Sequence, residues 1–294
     1  MAVRINGKEV AEFYRQRIKA ETSRFYTYSG KKPCLAVVLV GNDPASISYV
    51  SSKKTACEEM GFEHLDYTLD ENTSEEELLS LVDTLNKDER VDGILVQFPT
   101  PDQIDDDKVM QAIDPSKDVD GLNPVNAGLT LMGKESFVSC TPKGILALLD
   151  YYKIPTDGKK VCVIGRSNLV GKPVASLLMH KGRDATVTVC NTHTRNLKEI
   201  TLSSDIIIVA AGHVHTLTSD MVAPGAVVID VGTNRVEDKT RERGWRLVGD
   251  CDYSAIKEIA SYITPVPGGV GPMTITMLMD NTLIAAEKRF EVET

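Results

Sequence analysis

The sequence predicts an α/β protein built from two αβ domains, and three observations carry that prediction. Short apolar runs of the kind buried on both faces recur along the chain. Segments with helical spacing or helix-start signals follow several of them, an order that implies parallel strands covered by helices. Between residues 99 and 142 the periodicity fades and Pro, Asp, Asn and Gly accumulate, dividing one αβ series from the next. The 294 residues are enough for two domains of ordinary size. Their expected limits are 1–141, completed by a C-terminal helix at 272–294, and 142–271.

Taken in order, MAVRINGKEVAEFYRQRIKAE reads as a short strand and an amphipathic helix. It has no apolar h-region and no small-residue cleavage site, so it is not expected to be a signal peptide. CLAVVLVG (34–41) is a buried strand, and DPASISYVSSKKTACEEMG has helical spacing through Ala45, Tyr49, Lys53, Ala56 and Met60, stopping at Gly61. A weaker strand at 64–69 precedes the helix TSEEELLSLVDTLN, where Thr73 or Ser74 with Glu76 or Glu77 fits a capping box. The strand VDGILVQ (91–97) closes this series. The stretch 99–142 reads as loops lining a site, interrupted by a short helix near 104–112. PKGILALLDYY (142–152) is a helix with Pro in its first turn. The second series has strands at 160–165, 185–190, 204–212 and 225–232, with a helix at 171–181. PMTITMLMDNTLIAAEKRF is a terminal helix with an apolar stripe and a charged tail.

Bulk composition narrows the function classes. Lys and Arg total 33 against 42 Asp and Glu, a formal net charge of -9, so nothing on the bulk scale attracts a nucleic acid. A local cationic pocket for a small anion is still allowed. No run approaches a membrane span, and cytoplasm is the expected compartment. The six cysteines lie far apart with no CxxC pair, and they read as reduced thiols used as small hydrophobes.

After the strand KVCVIG comes GRSNLVGKPVASLLMHKG. Gly165 ends the strand and Gly171 opens a helix six positions later. This departs from G-x-G-x-x-G but keeps the strand-turn-helix context, in which a tight turn offers a helix N-terminus to pyrophosphate. The residues alone also allow a plain strand-helix loop with two structural glycines. Arg166 follows the turn, where a guanidinium can pair with a phosphate or sit in a surface salt bridge. The next strand ends in Cys190, Asn191, Thr192, His193 and Thr194 without an Asp or Glu. An NAD site commonly places an acid there for the ribose 2′-hydroxyl, and that acid repels a 2′-phosphate. The neutral strand end together with Arg166 favours NADP.

Tyr49 and Lys53 are four apart and share a helix face. They either flank a flat heterocycle or form an ordinary pair of a half-buried ring and a snorkelling ammonium. Gln97, at a strand's C-terminal end, suits a ligand or a loop cap equally. Asp118-Val119-Asp120-Gly121 is a turn, or superficially a calcium loop, but it lacks the rest of the EF-hand pattern and its closing Glu.

The pieces VGNDPASISYVSSKKTACEEMG, GILVQFP, KDVDGLNPVNAG, CTPKG, VIGRSNLVGKPVASLL, GAVVIDVGTNR and TPVPGGVGPMTITMLMDNT, in this order, span essentially the whole chain. Together they resemble the methylenetetrahydrofolate dehydrogenase/cyclohydrolase family. The resemblance implies a folate cleft between an N-terminal α/β domain and a Rossmann-type NADP-binding domain, and a homodimer. It implies oxidation of 5,10-methylenetetrahydrofolate with NADP, then hydrolysis of the methenyl product to 10-formyltetrahydrofolate. Tetrahydrofolate derivatives are the implied partners, with no nucleic acid and no membrane.

Residue by residue, the resemblance assigns Tyr49 to stacking on the folate, Asp120 to hydrogen bonding the pterin, and Lys53, oriented by Gln97, to the hydrolytic step. Gly271 and Thr274 become candidate contacts bordering substrate and nicotinamide. Arg166, Ser167 and Thr192, with Asn191 beside them, match the group around the 2′-phosphate. Gly165, Gly171 and Pro173 match the pyrophosphate turn, Thr141 lies near the nicotinamide, and Gly232 belongs to a later cofactor-facing loop. Asn191 stands where many members have His, so it adds no positive charge. Phe98, Thr100, Leu122 and Asn123 also depart from common family wording and bear on packing around the folate. No metal is expected: His213 and His215 are two apart without a third ligand of the usual spacing. A dehydrogenase without cyclohydrolase activity, and a nucleotide-binding regulatory protein, are the competing readings.

Overall fold

The computed structural model describes residues 1–241 and 243–293, with residues 45, 292 and 293 described by their backbone alone. In chain order the elements are β1 (Val3–Arg4), α1 (Gly7–Ser29), β2 (Cys34–Val40), α2 (Pro44–Met60), β3 (Glu63–Leu69), α3 (Glu75–Lys87), β4 (Gly93–Val96), α4 (Asp106–Ala112), α5 (Pro124–Leu131) and α6 (Cys140–Tyr151). They continue with β5 (Lys160–Ile164), α7 (Gly171–Met179), β6 (Thr186–Cys190), α8 (Leu197–Leu202), β7 (Ile206–Val209), β8 (Val227–Asp230), β9 (Asn234–Glu237), β10 (Trp245–Val248), α9 (Tyr253–Ile256), β11 (Tyr262–Ile263) and α10 (Gly271–Glu293). Two compact units result: Met1–Ala11 with Thr141–Thr274, and Glu12–Cys140 with Ile275–Thr294.

The second of these units holds a parallel sheet in the order β3-β2-β4. All seven residues of β2 are buried, which is why its sequence is apolar without alternation. Leu78, Val82 and Leu85 of α3 pack with Ala36, Val38, Ile94 and Val96 into one core cluster. Local chemistry fixes where the helices begin. Asp43 caps α2 by accepting from the Ser46 amide at 2.8 Å, Pro44 opens it, and Gly61 ends it at φ 80°. Of the capping-box pairs the sequence offers, Ser74 with Glu77 forms at α3. Because the strands are parallel, their C-terminal ends share one edge, which brings the start of α2 and Gln97 to the same side of the sheet.

The other unit carries a six-stranded parallel sheet, β1-β11-β8-β7-β5-β6, and a two-stranded ribbon of β9 and β10. The strands expected at 160–165, 185–190, 204–212 and 225–232 appear as β5 to β8. The chain leaves β5 to one side for β6 and returns to the other for β7, so the strand order reverses at β5. The crevice outside the carboxyl ends at such a reversal is where open α/β sheets bind ligands.

Three features differ from the sequence reading. The stretch 99–142 contains a second helix, α5, started by Asn123, whose side chain accepts from the Val125 amide at 2.8 Å, and by Pro124. Residues 1–11 were assigned to the first domain but join the six-stranded unit, because Val3 and Ile5 donate to Ser261 and Ile263 at 2.8 and 2.9 Å. A two-residue strand pairing across such a separation leaves no local signal. The β9-β10 ribbon was not anticipated. All six cysteines are buried and none is in a disulfide, as their apolar surroundings suggested.

Candidate active site

Lys53 sits on α2 one turn after Tyr49. Its ammonium donates to Gln97 Oε1 at 2.8 Å, and the Gln97 amide donates onward to the Phe98 carbonyl at 2.9 Å. That second bond settles the orientation of the amide, so its oxygen faces the lysine. Burial pushes the Lys53 ammonium below its ordinary pKa, opposed by the negative charge of Asp120 and by Cys140. Burial raises the Asp120 carboxyl, opposed by Lys53 and by a hydrogen bond from the Cys140 thiol. Lys53, Gln97, Asp120 and Cys140 therefore form one polar group. Tyr49 stays 54% exposed, its ring presented to solvent.

The loop carrying Asp120 is held from several directions. Asp118, buried, accepts from the amides of Leu122 and Asn123 at 3.1 and 2.8 Å and from the Asn126 side chain at 2.9 Å. The Asp-Val-Asp-Gly segment is thus a carboxylate-organised turn. Gly121 has φ +70°, and a Cβ there would stand 2.5 Å from the Ser139 nitrogen, so only glycine fits. Asn281 of α10 donates to the carbonyls of Val119 and Val138 at 2.8 and 3.0 Å, clamping the residue before Asp120. Sequence reasoning missed Asp118, Cys140 and Asn281 as parts of this group. The available signal was a polar residue inside the apolar stripe of the last helix.

Three of the departures from family wording are absorbed locally. Asn123 is buried, caps α5, and donates to the Ile113 carbonyl at 2.9 Å, tying the end of α4 to the start of α5. The Thr100 hydroxyl and amide both donate to Asp106 Oδ1, and Phe98 packs against the β2-α3-β4 core.

In the six-stranded unit, Gly165 leaves β5 at φ +125°, and a Cβ there would lie 2.2 Å from the Ala210 carbonyl oxygen. A Cβ on Gly171 would lie 2.2 Å from the Gly165 carbonyl oxygen. Both glycines are therefore required by close backbone approach, and they set a tight turn against the first turn of α7, which also contains Pro173. Arg166 and Ser167 stand exposed on that turn, and the Ser167 hydroxyl accepts from the Val170 amide at 3.1 Å. At the end of β6, the Asn191 side chain accepts from the His193 amide at 2.9 Å, while Thr192 is exposed and no acid is present. A glycine turn at a helix N-terminus, an exposed guanidinium and a neutral strand end fit a dinucleotide bearing a 2′-phosphate. Thr141 and Thr274 are brought together, their hydroxyls 3.0 Å apart, and Gly271 opens α10 with open space where a Cβ would point. Gly232 is buried, its amide donating to Asp230 Oδ1 at 3.0 Å.

Two family models match the chain. Residues 5–120 match the catalytic domain of tetrahydrofolate dehydrogenase/cyclohydrolase, and residues 139–290 match its NAD(P)-binding domain. The chain belongs to the tetrahydrofolate dehydrogenase/cyclohydrolase family. It is 50% identical over 285 residues to the bifunctional protein FolD of Porphyromonas gingivalis, covering 96% of each chain. Its fold matches the crystal structure of the bifunctional dehydrogenase/cyclohydrolase FolD of Campylobacter jejuni with a TM-score of 0.93 at 46% identity, over 98% of this chain and 100% of that one. The Trypanosoma brucei dehydrogenase-cyclohydrolase, solved with NADP and an inhibitor, matches with a TM-score of 0.93 at 37% identity over 98% of both chains. The resemblance read from the motifs is borne out over nearly the full length. Among the described residues no group of three or more His, Cys, Asp or Glu side chains is placed to hold a metal, and no helix is long and apolar enough to cross a membrane.

Proposed function

We propose that this tetrahydrofolate dehydrogenase/cyclohydrolase oxidises 5,10-methylenetetrahydrofolate with NADP and hydrolyses the methenyl product to 10-formyltetrahydrofolate, with Lys53 handling the protons of the second step. The observation that carries this reading is the 2.8 Å bond from Lys53 to Gln97, with Asp120 in electrostatic contact. NADP held by the Gly165–Gly171 turn, Arg166, Ser167 and the Asn191-Thr192 strand end supplies the acceptor for the hydride. The folate nitrogens stabilise the cation that develops on the one-carbon bridge, so the protein needs no strong base there and contributes alignment.

Hydrolysis has a different requirement. Water attacks the cationic carbon and must lose a proton, and the nitrogen that departs must gain one. The neutral form of Lys53 takes the first proton and, once protonated, delivers one to the leaving nitrogen. Burial favours that neutral form, and a cationic substrate nearby favours it further. Gln97 fixes the amine's position without adding charge. Asp120 suits adjacent pterin N–H donors, and the exposed Tyr49 ring offers a face for stacking.

Assembly and compartment belong to the same proposal. β6 is the edge of the six-stranded sheet, with Thr186, Thr188 and Val189 exposed, and an open β-branched edge favours pairing with a second copy. Six buried cysteines, none in a disulfide, fit a reducing cytoplasm.

The test is a two-substrate assay on purified protein. Methylenetetrahydrofolate oxidation is followed with NADP and NAD in parallel, and hydrolysis of supplied methenyltetrahydrofolate is followed without cofactor. Both activities are expected. Oxidation without hydrolysis above the spontaneous rate removes the second half of the reading, and absence of both removes all of it.

A further inference from the structure

Two buried carboxylates, Asp230 at the end of β8 and Asp250 just after β10, bond the loops that leave β7 and β8, and the chemistry above uses neither. Asp230 is 2% exposed and Asp250 0%. Asp230 Oδ1 accepts from the amides of Gly232 and Asp250 at 3.0 and 2.9 Å, and its Oδ2 accepts from the Cys251 amide at 2.9 Å. Asp250 Oδ2 accepts from the amides of Ala211 and Gly212 at 2.7 and 2.8 Å, and its Oδ1 accepts from the Asn234 side chain at 2.8 Å. A carboxylate is acceptor-only, so every oxygen here faces a donor, and an amide in its place must turn an NH₂ toward an N–H. The surroundings leave no slack. A Cβ on Gly232 would lie 2.1 Å from Asp250 Oδ1, and one on Gly249 would lie 1.9 Å from Asp230 Oδ2.

The arrangement reaches the nucleotide turn in a short chain of contacts. Asp250 pins the amides of Ala211 and Gly212. The preceding residue, Ala210, donates to the Ile164 carbonyl at 2.8 Å, and its own carbonyl closes on the Cα of Gly165. Asp230, at the end of β8, fixes Gly232 and the Asp250 backbone in turn. Hydrogen bonds to the two carboxylates thereby fix the backbone amides of both loops.

We propose that Asp230 and Asp250 are positioning residues for the cofactor: without touching it, they hold the loops after β7 and β8 in the single shape that completes the edge of the nucleotide cradle. The proposal rests on NADP binding at the Gly165–Gly171 turn. It separates the two activities, because hydrolysis of supplied methenyltetrahydrofolate uses no nucleotide.

The experiment compares the wild-type chain with Asp250→Asn by titrating NADPH in the absence of folate and by assaying methenyl hydrolysis without nucleotide. A loop no longer held in its bound shape must be ordered when the nucleotide binds, so the dissociation constant for NADPH is expected to rise about tenfold while hydrolysis is unchanged within error. Asn234→Ala removes one donor from Asp250 and leaves the carboxylate in place. It should weaken NADPH in the same direction by a smaller factor, and it serves if Asp250→Asn does not fold. Unchanged NADPH affinity in the folded variants overturns the proposal. A parallel loss of NADPH binding and hydrolysis, with a lowered melting temperature, also overturns it by showing a general structural role. Failure of the wild-type chain to bind NADPH contradicts the underlying assignment of the nucleotide site instead.

Discussion

The Lys53 ammonium donates to Gln97 Oε1 across 2.8 Å, joining a residue of α2 to one at the end of β4, 44 positions away. The partner is neutral, and that matters. A carboxylate at the same distance would hold the lysine protonated, whereas an amide fixes its position and leaves its proton affinity to burial and to Asp120.

Gln97→Glu should therefore raise the pKa of Lys53, because an opposite charge within hydrogen-bond reach favours the ammonium by ~1–3 units. The neutral amine becomes scarcer near pH 7, so methenyl hydrolysis falls and the acid limb of its pH–rate profile moves to higher pH. Oxidation should be affected less. A limb that stays in place, or moves to lower pH, contradicts the role given to the pair.

Arg166→Ala should weaken NADP selectively. A hydrogen bond to a charged group is worth ~1.5–3 kcal/mol, so KM for NADP should rise by about 10- to 100-fold while KM for NAD changes little. Steady-state kinetics with both nucleotides decide it. A wild-type enzyme at least as efficient with NAD as with NADP contradicts the assignment of the 2′-phosphate group.

Asp118 gives a stability prediction. Burial pushes its carboxyl up to about 6 from an ordinary 3.8, despite three N–H donors and with Asp120 adding to the rise. The folded pKa lies above the unfolded one, so this group's contribution is full below pH 4 and is lost as pH rises through about 6. A rise of that size corresponds to ~3 kcal/mol. Asp118→Asn removes the titration. The melting temperature of the variant relative to wild type should climb between pH 4 and 7, and parallel curves contradict the argument.

Much of this architecture was legible in the sequence. The apolar run of β2 and the turn signals around α2 and α3 identify their elements, because burial and capping act through neighbours in the chain. The glycines of the β5-α7 turn were legible for the same reason. What the sequence hid is long-range. Asn281 clamps Val119 from 162 positions away, and the short strand read at the N-terminus gives no sign that its partner is β11. Helix α5 escaped because the Asn and Pro that start it resemble the loop composition around them. Lys53, Gln97 and Asp120 were found through the resemblance, since their spacing alone left an ordinary lysine and an ordinary turn equally open.

Assembly is tested by light scattering. A dimer should have twice the 32.1 kDa chain mass, and Val189→Lys, which puts a charge on the open edge of β6, should shift it toward the monomer. A mass near 32.1 kDa at every concentration contradicts pairing through this edge.

The most direct test of the central claim, that Lys53 handles the protons of hydrolysis and not the hydride step, is Lys53→Met. The substitution keeps much of the side-chain length and removes the amine. Methenyl hydrolysis above the spontaneous rate and NADP-dependent oxidation are measured separately, each at saturating folate. General acid–base assistance is worth ~10²–10⁴ in rate, so hydrolysis should fall by that factor while oxidation stays measurable. Hydrolysis by the variant as fast as by wild type would show that Lys53 is not the proton-handling group.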